Sequence, residues 1–444
     1  MDSKPSAIVV GAGLSGLSAA YRLQREGWSV VVLESEPVAG GRIRTLRDQG
    51  YVVDLGATSA GAGHEDFLAL AQELELKMVT SPPWLGIARG DVVHELRVDQ
   101  LVRSGVSTRL LSTRSKLQMS RLALDLVTAK LRGRLDYTDL SKAAPIDTET
   151  AHTYALRALN SEIDSYVVAP LTRTMMIADS DRTSKVELFS GIANSLGGEW
   201  QSLAGGAASI VDALVSRLDV RLRHSAEQVT ELADGVRVVY TEADGRRSDL
   251  VADACVVACP LPAAAAICPE RGEALNPLAA ALPYTRTISV ALGTTWRPDC
   301  RAFMVLLSPA DSSEVAVFFQ DHRKDPARAP AGNGLFTMYF EMDAAEKYFD
   351  AADDEIIECA VRALSRLWPE LRASVNFTHV HRWAQALPHS QVGTFQRIAE
   401  FNAALDPADR IQFAADYMSE IGLNTAVVFG KRAAANLHSR FGGS

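Results

Sequence analysis

The chain has 444 residues, enough for two or three domains and a large core, and its 47% apolar and 22% charged residues are an ordinary globular composition. A net charge of −9 argues against general nucleic-acid binding, which needs a basic face. The five cysteines, Cys255, Cys259, Cys268, Cys300 and Cys359, form no C-x-x-C pair and no metal spacing with histidine, so they read as free buried thiols in a reducing compartment and no metal is expected.

No apolar signal region precedes the first strand, and no run approaches a span of about 20 apolar residues, so a cytoplasmic protein is expected. Ile8 to Val10 is a short apolar run without polar alternation, the pattern of a parallel strand buried on both faces. Gly11, Gly13 and Gly16 then match G-x-G-x-x-G. The first glycine permits a tight turn, the second lets a pyrophosphate approach the backbone, and the third lets helix pack on strand. Leu14 to Arg25 reads as the helix, closed by Gly27, with N-terminal amides and dipole suited to phosphate. Val30 to Leu33 is a second strand ending on Glu34, 18 residues after Gly16, near the spacing of an acid that binds a ribose 2′-hydroxyl. The pattern puts a nucleotide over Gly11, Ala12, Gly13, Leu14, Ser15, Gly16, Glu34 and Ser35, and an acid rather than an arginine favours FAD or NAD over NADP.

Next come Gly40-Gly41-Arg42-Ile43-Arg44-Thr45 and Asp54-Leu55-Gly56-Ala57-Thr58. A G-G-R-x-R-T stretch soon after the acid, then D-x-G-A, resembles the amine oxidase/protoporphyrinogen oxidase/phytoene desaturase superfamily of FAD enzymes. The resemblance implies that Gly40, Gly41 and Arg42 wrap the pyrophosphate and approach the flavin. It implies that Gly56, Ala57 and Thr58 pass along the isoalloxazine. The chemistry agrees, since paired glycines permit close backbone approach and an arginine neutralises phosphate or a reduced flavin anion.

Phe67 to Leu74 is an amphipathic helix, His64 before it reads as a solvated loop residue, and Pro82-Pro83-Trp84 marks a boundary. Residues 86–204 are expected to be mostly helical. Arg109 to Arg134 carries seven cations against Asp125 alone, and Leu117, Leu124, Val127 and Leu131 line one face, the pattern of a basic amphipathic helix. Protoporphyrinogen oxidase relatives often use this part of the chain at membranes or for anionic substrates, which implies peripheral membrane contact through 109–134; a solvated helix face is the alternative. Thr150 to Asn160 and Tyr166 to Met176 read as further helices.

Gly205-Gly206 opens a return to the nucleotide domain, with a helix, a strand at Val220-Arg221-Leu222, and Val229 where the resemblance implies a backbone contact to adenine. Val236 to Tyr240 and Leu250 to Cys259 follow as strands. Strands at Thr287 to Gly293, Val315 to Phe319 and Leu335 to Phe340 suggest a mixed sheet. Trp383 to Gly393 resembles the superfamily's W-x-x-A-x-P-x-x-x-x-G stretch. The closing Ala414-Ala415-Asp416-Tyr417, Gly422-Leu423-Asn424-Thr425-Ala426-Val427 and Gly430-Lys431-Arg432-Ala433-Ala434 resemble its final signature. By that likeness Asp416 bonds the ribityl or pyrophosphate, and amides from Asn424 and Thr425 to Val427 face the flavin N1–C2=O edge.

The expected fold is therefore α/β, with a Rossmann-type FAD-binding domain (1–85, 205–260 and 400–444) and a discontinuous α+β substrate-binding domain (86–204 and 261–399). Departures are Ala415 for the usual glycine, Phe429 for serine, and Val38 where many amine oxidases have arginine. Amine oxidases of the superfamily commonly carry a lysine on the strand aligned with Thr287 to Gly293, where this chain has Ser289 and, close by, Arg286. That favours a protoporphyrinogen oxidase-like or desaturase-like reaction on a bulky conjugated or heterocyclic small molecule, with O2 as electron acceptor and non-covalent FAD. Amine oxidation to imine and peroxide, or redox-neutral or structural use of FAD, are the alternatives. His389, Glu341 and Arg173 are acid–base candidates by position, with Ser289, and Trp383 and Tyr417 are candidate walls of the substrate pocket.

Overall fold

The computed structural model describes residues 4–136, 138–195 and 198–442. The first strand, Ser6–Val10, lies at the centre of a five-stranded sheet in the order Ile411–Phe413, Ala254–Val257, Ser6–Val10, Ser29–Glu34, Asp219–Leu222. All four pairings are parallel, with Val10 opposite Val257 on one side and Leu33 on the other. Both faces of such a sheet need cover. Helices Leu14–Arg25 and Leu423–Phe441 supply it on one face, packed so closely that a Cβ on Gly430 would stand 2.5 Å from Ser15 O. On the other face the antiparallel sheet Ser225–Leu232, Gly235–Thr241 and Arg247–Ala252 and the helices Leu261–Ile267 and Thr394–Ala404 share one apolar core with Ile8, Val10 and Val257.

A second, seven-stranded sheet runs Val375–Trp383, Thr287–Thr294, Gly334–Phe340, Val315–Gln320, Met304–Leu306, Trp84–Arg89, Val92–Arg97. It is mixed, because Met304–Leu306 pairs parallel with Trp84–Arg89 while its other pairings are antiparallel. The expectation of mostly helix after residue 86 thus fails at its start. Trp84–Arg89 and Val92–Arg97 form a hairpin turned at Gly90, whose φ of +67° suits glycine. Strand alternation divides this sheet into two faces. Ile288, Val290, Leu292, Phe318, Phe336, Met338 and Phe340 pack outward against helix Asp353–Ser365. Ser289, Thr337, Tyr339 and Phe319 belong to the inner face, with Ser289 opposite Tyr339 and Thr337 opposite Phe319.

Helices Thr113–Leu131, Ala151–Ala158, Ala169–Met176 and Lys185–Ser195 cover part of that inner face. The expected helix from Tyr166 opens instead with a wide π turn, Asp164–Val168, ahead of Pro170. A proline ring cannot sit against the carbonyl four residues back in a regular helix, and the wide turn relieves that clash. In Thr113–Leu131 the expected apolar face is turned outward: Leu117, Leu124, Val127 and Leu131 are exposed, and Ser115, Leu122, Leu126 and Ala129 pack inward. His64, expected to be solvated, is half-buried, and burial pushes its pKa down to about 4. All five cysteines are free, and burial raises the pKa of each thiol.

Candidate active site

The glycine turn after the first strand is shaped by what it lacks. Gly11 has φ +103°, and a Cβ there would stand 2.9 Å from Ala258 O. A Cβ on Gly16 would fall 2.0 Å from Gly11 O, so helix Leu14–Arg25 touches the turn only because residue 16 has no side chain. At Gly13 the same test finds open space, and at Gly41 it meets only Gly13 Cα at 3.7 Å. Gly40 N donates to Ala12 O (2.8 Å), so the two glycine turns lie against each other. Glu34 ties this corner together. One carboxylate oxygen accepts from Ala12 N (2.8 Å), and the other accepts from Glu36 N (2.9 Å) and the Ser35 hydroxyl (3.3 Å). Leu14 and Ser15 are buried in the first helical turn, and Val229 is buried in the antiparallel sheet.

The Asp54–Thr58 loop is held by distant side chains. Arg328 donates to Asp54 Oδ2 (2.6 Å), with both side chains almost fully buried. Asp54 Oδ1 also accepts from Thr45 Oγ1 (2.7 Å) and Ala207 N (2.8 Å), the latter at the Gly205-Gly206 turn. Tyr339 OH donates to Gly56 O (2.8 Å), and Trp383 Nε1 donates to Leu55 O (2.8 Å). Lys324 donates to Thr58 Oγ1 (2.5 Å) and pairs with Asp321 (2.5 Å). Arg328, Lys324, Asp321 and Tyr339 escaped the sequence reading. Asp321-His322-Arg323-Lys324 looks there like an ordinary surface charge run, and no local spacing links it to residue 58.

At the far end of the chain Asp416 pairs with Arg42 (2.8 Å), which also donates to Ala386 O (3.1 Å). Burial works against the Arg42 cation, but Asp416 more than reverses this and raises its pKa. Helix Leu423–Phe441 starts after Gly422, and Ala426 N donates to Gly422 O (3.1 Å). Its free donors are therefore the amides of Leu423, Asn424 and Thr425. The expected set, Asn424 to Val427, therefore begins one residue and ends two residues earlier, because Ala426 N is already taken up by Gly422 O. The Asn424 side chain accepts from Phe67 N (3.0 Å) and joins two helices.

The acid–base candidates separate on inspection. Arg173 is buried, donating to Ser312 O (2.7 Å) and Ser313 O (3.2 Å) and paired with Asp179 (3.0 Å). Glu341 caps helix Met342–Tyr348 through Asp343 N (2.8 Å). His389 lies 3.1 Å from Thr183 Oγ1, and burial pushes its pKa down to about 4. All three are occupied by structural contacts. Of the four candidates Ser289 keeps an unpartnered hydroxyl, at an inner-face position where the Thr337 hydroxyl is also unpartnered. Tyr417, expected as a pocket wall, packs in the core beside Phe401. Trp383 stays at the loop, its indole stacked edge-on with His381. Near the start of the last helix burial pushes Glu187 up to about 7, and Ser190 donates to the buried Glu420 (2.6 Å).

An open double glycine turn, a carboxylate at the second strand, an arginine–aspartate pair and a helix start with three free amides form a cradle that fits FAD. Asp416 Oδ1 and Thr425 Oγ1 add buried polar atoms without a protein partner. This is the fold and cradle of a flavin-dependent oxidoreductase. The chain belongs to the family of flavin containing amine oxidoreductases, whose model matches residues 14–438. It is an FAD-dependent enzyme of the amine oxidase/protoporphyrinogen oxidase superfamily. Coproporphyrinogen III oxidase of Bacillus subtilis (strain 168) is 22% identical over 450 residues, 92% of this chain and 92% of that protein. Polyamine oxidase 4 of Oryza sativa subsp. japonica is 28% identical over 262 residues, 58% of this chain and 52% of that one. Cyclohexylamine oxidase from Brevibacterium oxydans IH-35A shares the fold with a TM-score of 0.79 at 20% identity, over 98% of this chain and 99% of that one.

Proposed function

We propose that this enzyme removes hydride from a bulky conjugated or heterocyclic substrate, as a protoporphyrinogen oxidase-like enzyme or a natural-product tailoring oxidase or desaturase. The observation that carries this reading is the inner face of the large sheet. Opposite the Asp54–Thr58 loop it offers Ser289, Thr337, Tyr339 and Phe319, hydroxyls and aromatic rings, and the nearby Asp321 carboxylate is already paired with Lys324 rather than left to hold an ammonium group. The full-length likeness to a coproporphyrinogen III oxidase supports the same reading. A flavin amine oxidase is the second reading, favoured by the stretch shared with polyamine oxidase 4.

Bound FAD supplies the two-electron acceptor and passes the electrons on, in this reading to dioxygen. The chain holds and orients it. Gly11 to Gly16 with Gly40, Gly41 and Arg42 take the pyrophosphate, Glu34 the ribose, Val229 the adenine, and Asp416 the ribityl or pyrophosphate. Gly56, Ala57 and Thr58 line the ring, with the amides of Leu423, Asn424 and Thr425 at its polar edge. The cofactor is non-covalent, so acid or heat denaturation releases free FAD; flavin that stays with the precipitated protein refutes this. An anaerobic titration against porphyrinogens, polyenes, polyamines and aryl amines tests the reaction class. Bleaching by a porphyrinogen or polyene, reversed by air, supports the first reading, and bleaching by amines alone replaces it with the second.

A peripheral contact with an anionic membrane surface belongs to the same reading. Val102 and Val106 of helix Leu101–Ser107 and the outward Leu117, Leu124, Val127 and Leu131 are large exposed apolar side chains, 84% exposed at Val102 and 83% at Leu131. Lys116 donates to Val106 O (2.8 Å), which brings the two helices together amid seven cations of the 109–134 segment. Apolar side chains set among cations suit an anionic lipid interface. Among the described residues no helix is long and apolar enough to cross a membrane. Sedimentation with vesicles containing phosphatidylglycerol but not with pure phosphatidylcholine, lost in Leu117→Glu/Leu131→Glu, is expected; equal sedimentation with both vesicles refutes it.

A further inference from the structure

Lys324 is a buried lysine paired with a buried aspartate, Asp321. Its side chain is 1% exposed, as is that of Asp321, and its Nζ lies 4.7 Å from the centre of the Phe319 ring. The loop it reaches is already anchored by Arg328, Tyr339 and Trp383. A buried ion pair adds little net stability over apolar side chains of the same size, because desolvation offsets the attraction. Here the pair also spends a donor on the hydroxyl of Thr58, at the end of the loop placed along the flavin. Burial pushes the Lys324 pKa down, and Asp321 and Asp54 pull the other way.

We propose that Lys324 is a flavin-tuning residue, brought to Thr58 from an element outside the cofactor motifs, whose positive charge favours the reduced flavin over the oxidised one. Uptake of two electrons and one proton leaves the bound flavin one unit more negative, and a nearby buried cation stabilises that state far more than one in water would. Asp321 opposes it from the other end of the pair. The two residues therefore have opposite signs of effect, which a merely structural pair would not show. The inference rests on the placement of Gly56 to Thr58 along the ring, and not on the substrate class.

The test is the anaerobic equilibrium between the FAD-loaded protein and a redox dye, read from the absorbance of both. Lys324→Met should shift the ratio of reduced to oxidised flavin down by about tenfold at a fixed dye ratio, Lys324→Arg should recover most of the shift, and Asp321→Asn should move it up. Ratios within about twofold of the parent for both Lys324→Met and Asp321→Asn, a factor worth only about 0.4 kcal/mol, overturn the proposal. If Lys324→Met does not fold, the sign for Asp321→Asn decides alone: a rise supports the proposal, and a fall or no change overturns it. Thr58→Val separates the two assumptions. A changed flavin spectrum supports the loop's placement, whereas an unchanged one shows the loop lies elsewhere and removes the ground of the proposal.

Discussion

Two loops frame the cofactor cradle, and they are held in opposite ways. The Gly11–Gly16 turn keeps its shape because side chains are missing. Its close neighbours are its own strand and helix, the strand end at Ala258 and the Gly40 turn, with Glu34 accepting from Ala12 N. The Asp54–Thr58 loop keeps its shape because side chains are present, and they come from far along the chain: Arg328, 274 positions from Asp54, and Trp383, 328 positions from Leu55. The first is written in short glycine spacings, although its close packing also needs the strand end at Ala258. The second exists only when the large sheet has folded and docked, so it couples the sheet to the loop.

The comparison breaks most completely at Gly16. Gly16→Ala puts a methyl group 2.0 Å from Gly11 O, a backbone atom with no rotamer to escape through. Loss of FAD from the purified protein is expected, read from its visible absorbance after desalting. Retention of stoichiometric flavin would mean that the helix can slide away from the turn.

The distant clamp is next. Arg328→Met leaves Asp54 buried with its charge unpaired, at a cost of about 3–5 kcal/mol, and should lower the unfolding midpoint in denaturant accordingly. Asp54→Asn in the same chain removes the orphan charge and should recover more than half of that loss. A midpoint unchanged by Arg328→Met would show that Thr45 and Ala207 hold Asp54 without help.

This difference also explains what could be read from sequence. The parallel strands, the glycine turn, Glu34 and the last helix announce themselves in short spacings, because glycine conformations and apolar runs are local properties. Lys324 and Asp321 carry no such mark, since their partners are set by sheet register. The basic segment shows the same limit. Its helical periodicity is genuine, but spacing does not say which of two apolar stripes finds a core, and the narrower Leu122, Leu126 and Ala129 stripe did. The free amides of the last helix shifted by one to two residues because the position of Gly422, not the motif, decides where the hydrogen-bond ladder begins.

A pH titration reads the buried histidine His389, which lies outside both loops. His389 N donates to Pro283 O (2.7 Å), and its ring lies against Thr183. Its pKa is lowered to about 4 from an ordinary value near 6.5, by burial first and by Arg182 second. A depressed folded-state value means the unfolded chain binds the proton more readily. The contribution is therefore complete above pH 6.5 and lost as pH falls toward 4, to a limit of about 3 kcal/mol. Unfolding free energy should decline over that window, and His389→Gln should decline less steeply. Parallel slopes for the two proteins would contradict the assignment.

The smallest expected effect is the most selective probe of the clamp. Tyr339→Phe removes one hydroxyl whose proton reaches Gly56 O at 2.8 Å and lies near Asp54 O at 3.2 Å. The buried carbonyl of Gly56 loses its partner, a loss of about 1–3 kcal/mol. The loop's base at Asp54 remains fixed by Arg328, Thr45 and Ala207, so only the part placed along the flavin is loosened. Stability of the flavin-free protein should therefore fall slightly, while FAD affinity, measured by fluorescence as cofactor is added back, should fall at least as much in free energy. If instead stability drops and affinity is unchanged, the hydroxyl serves the sheet–loop joint alone, and cofactor binding does not depend on that end of the clamp.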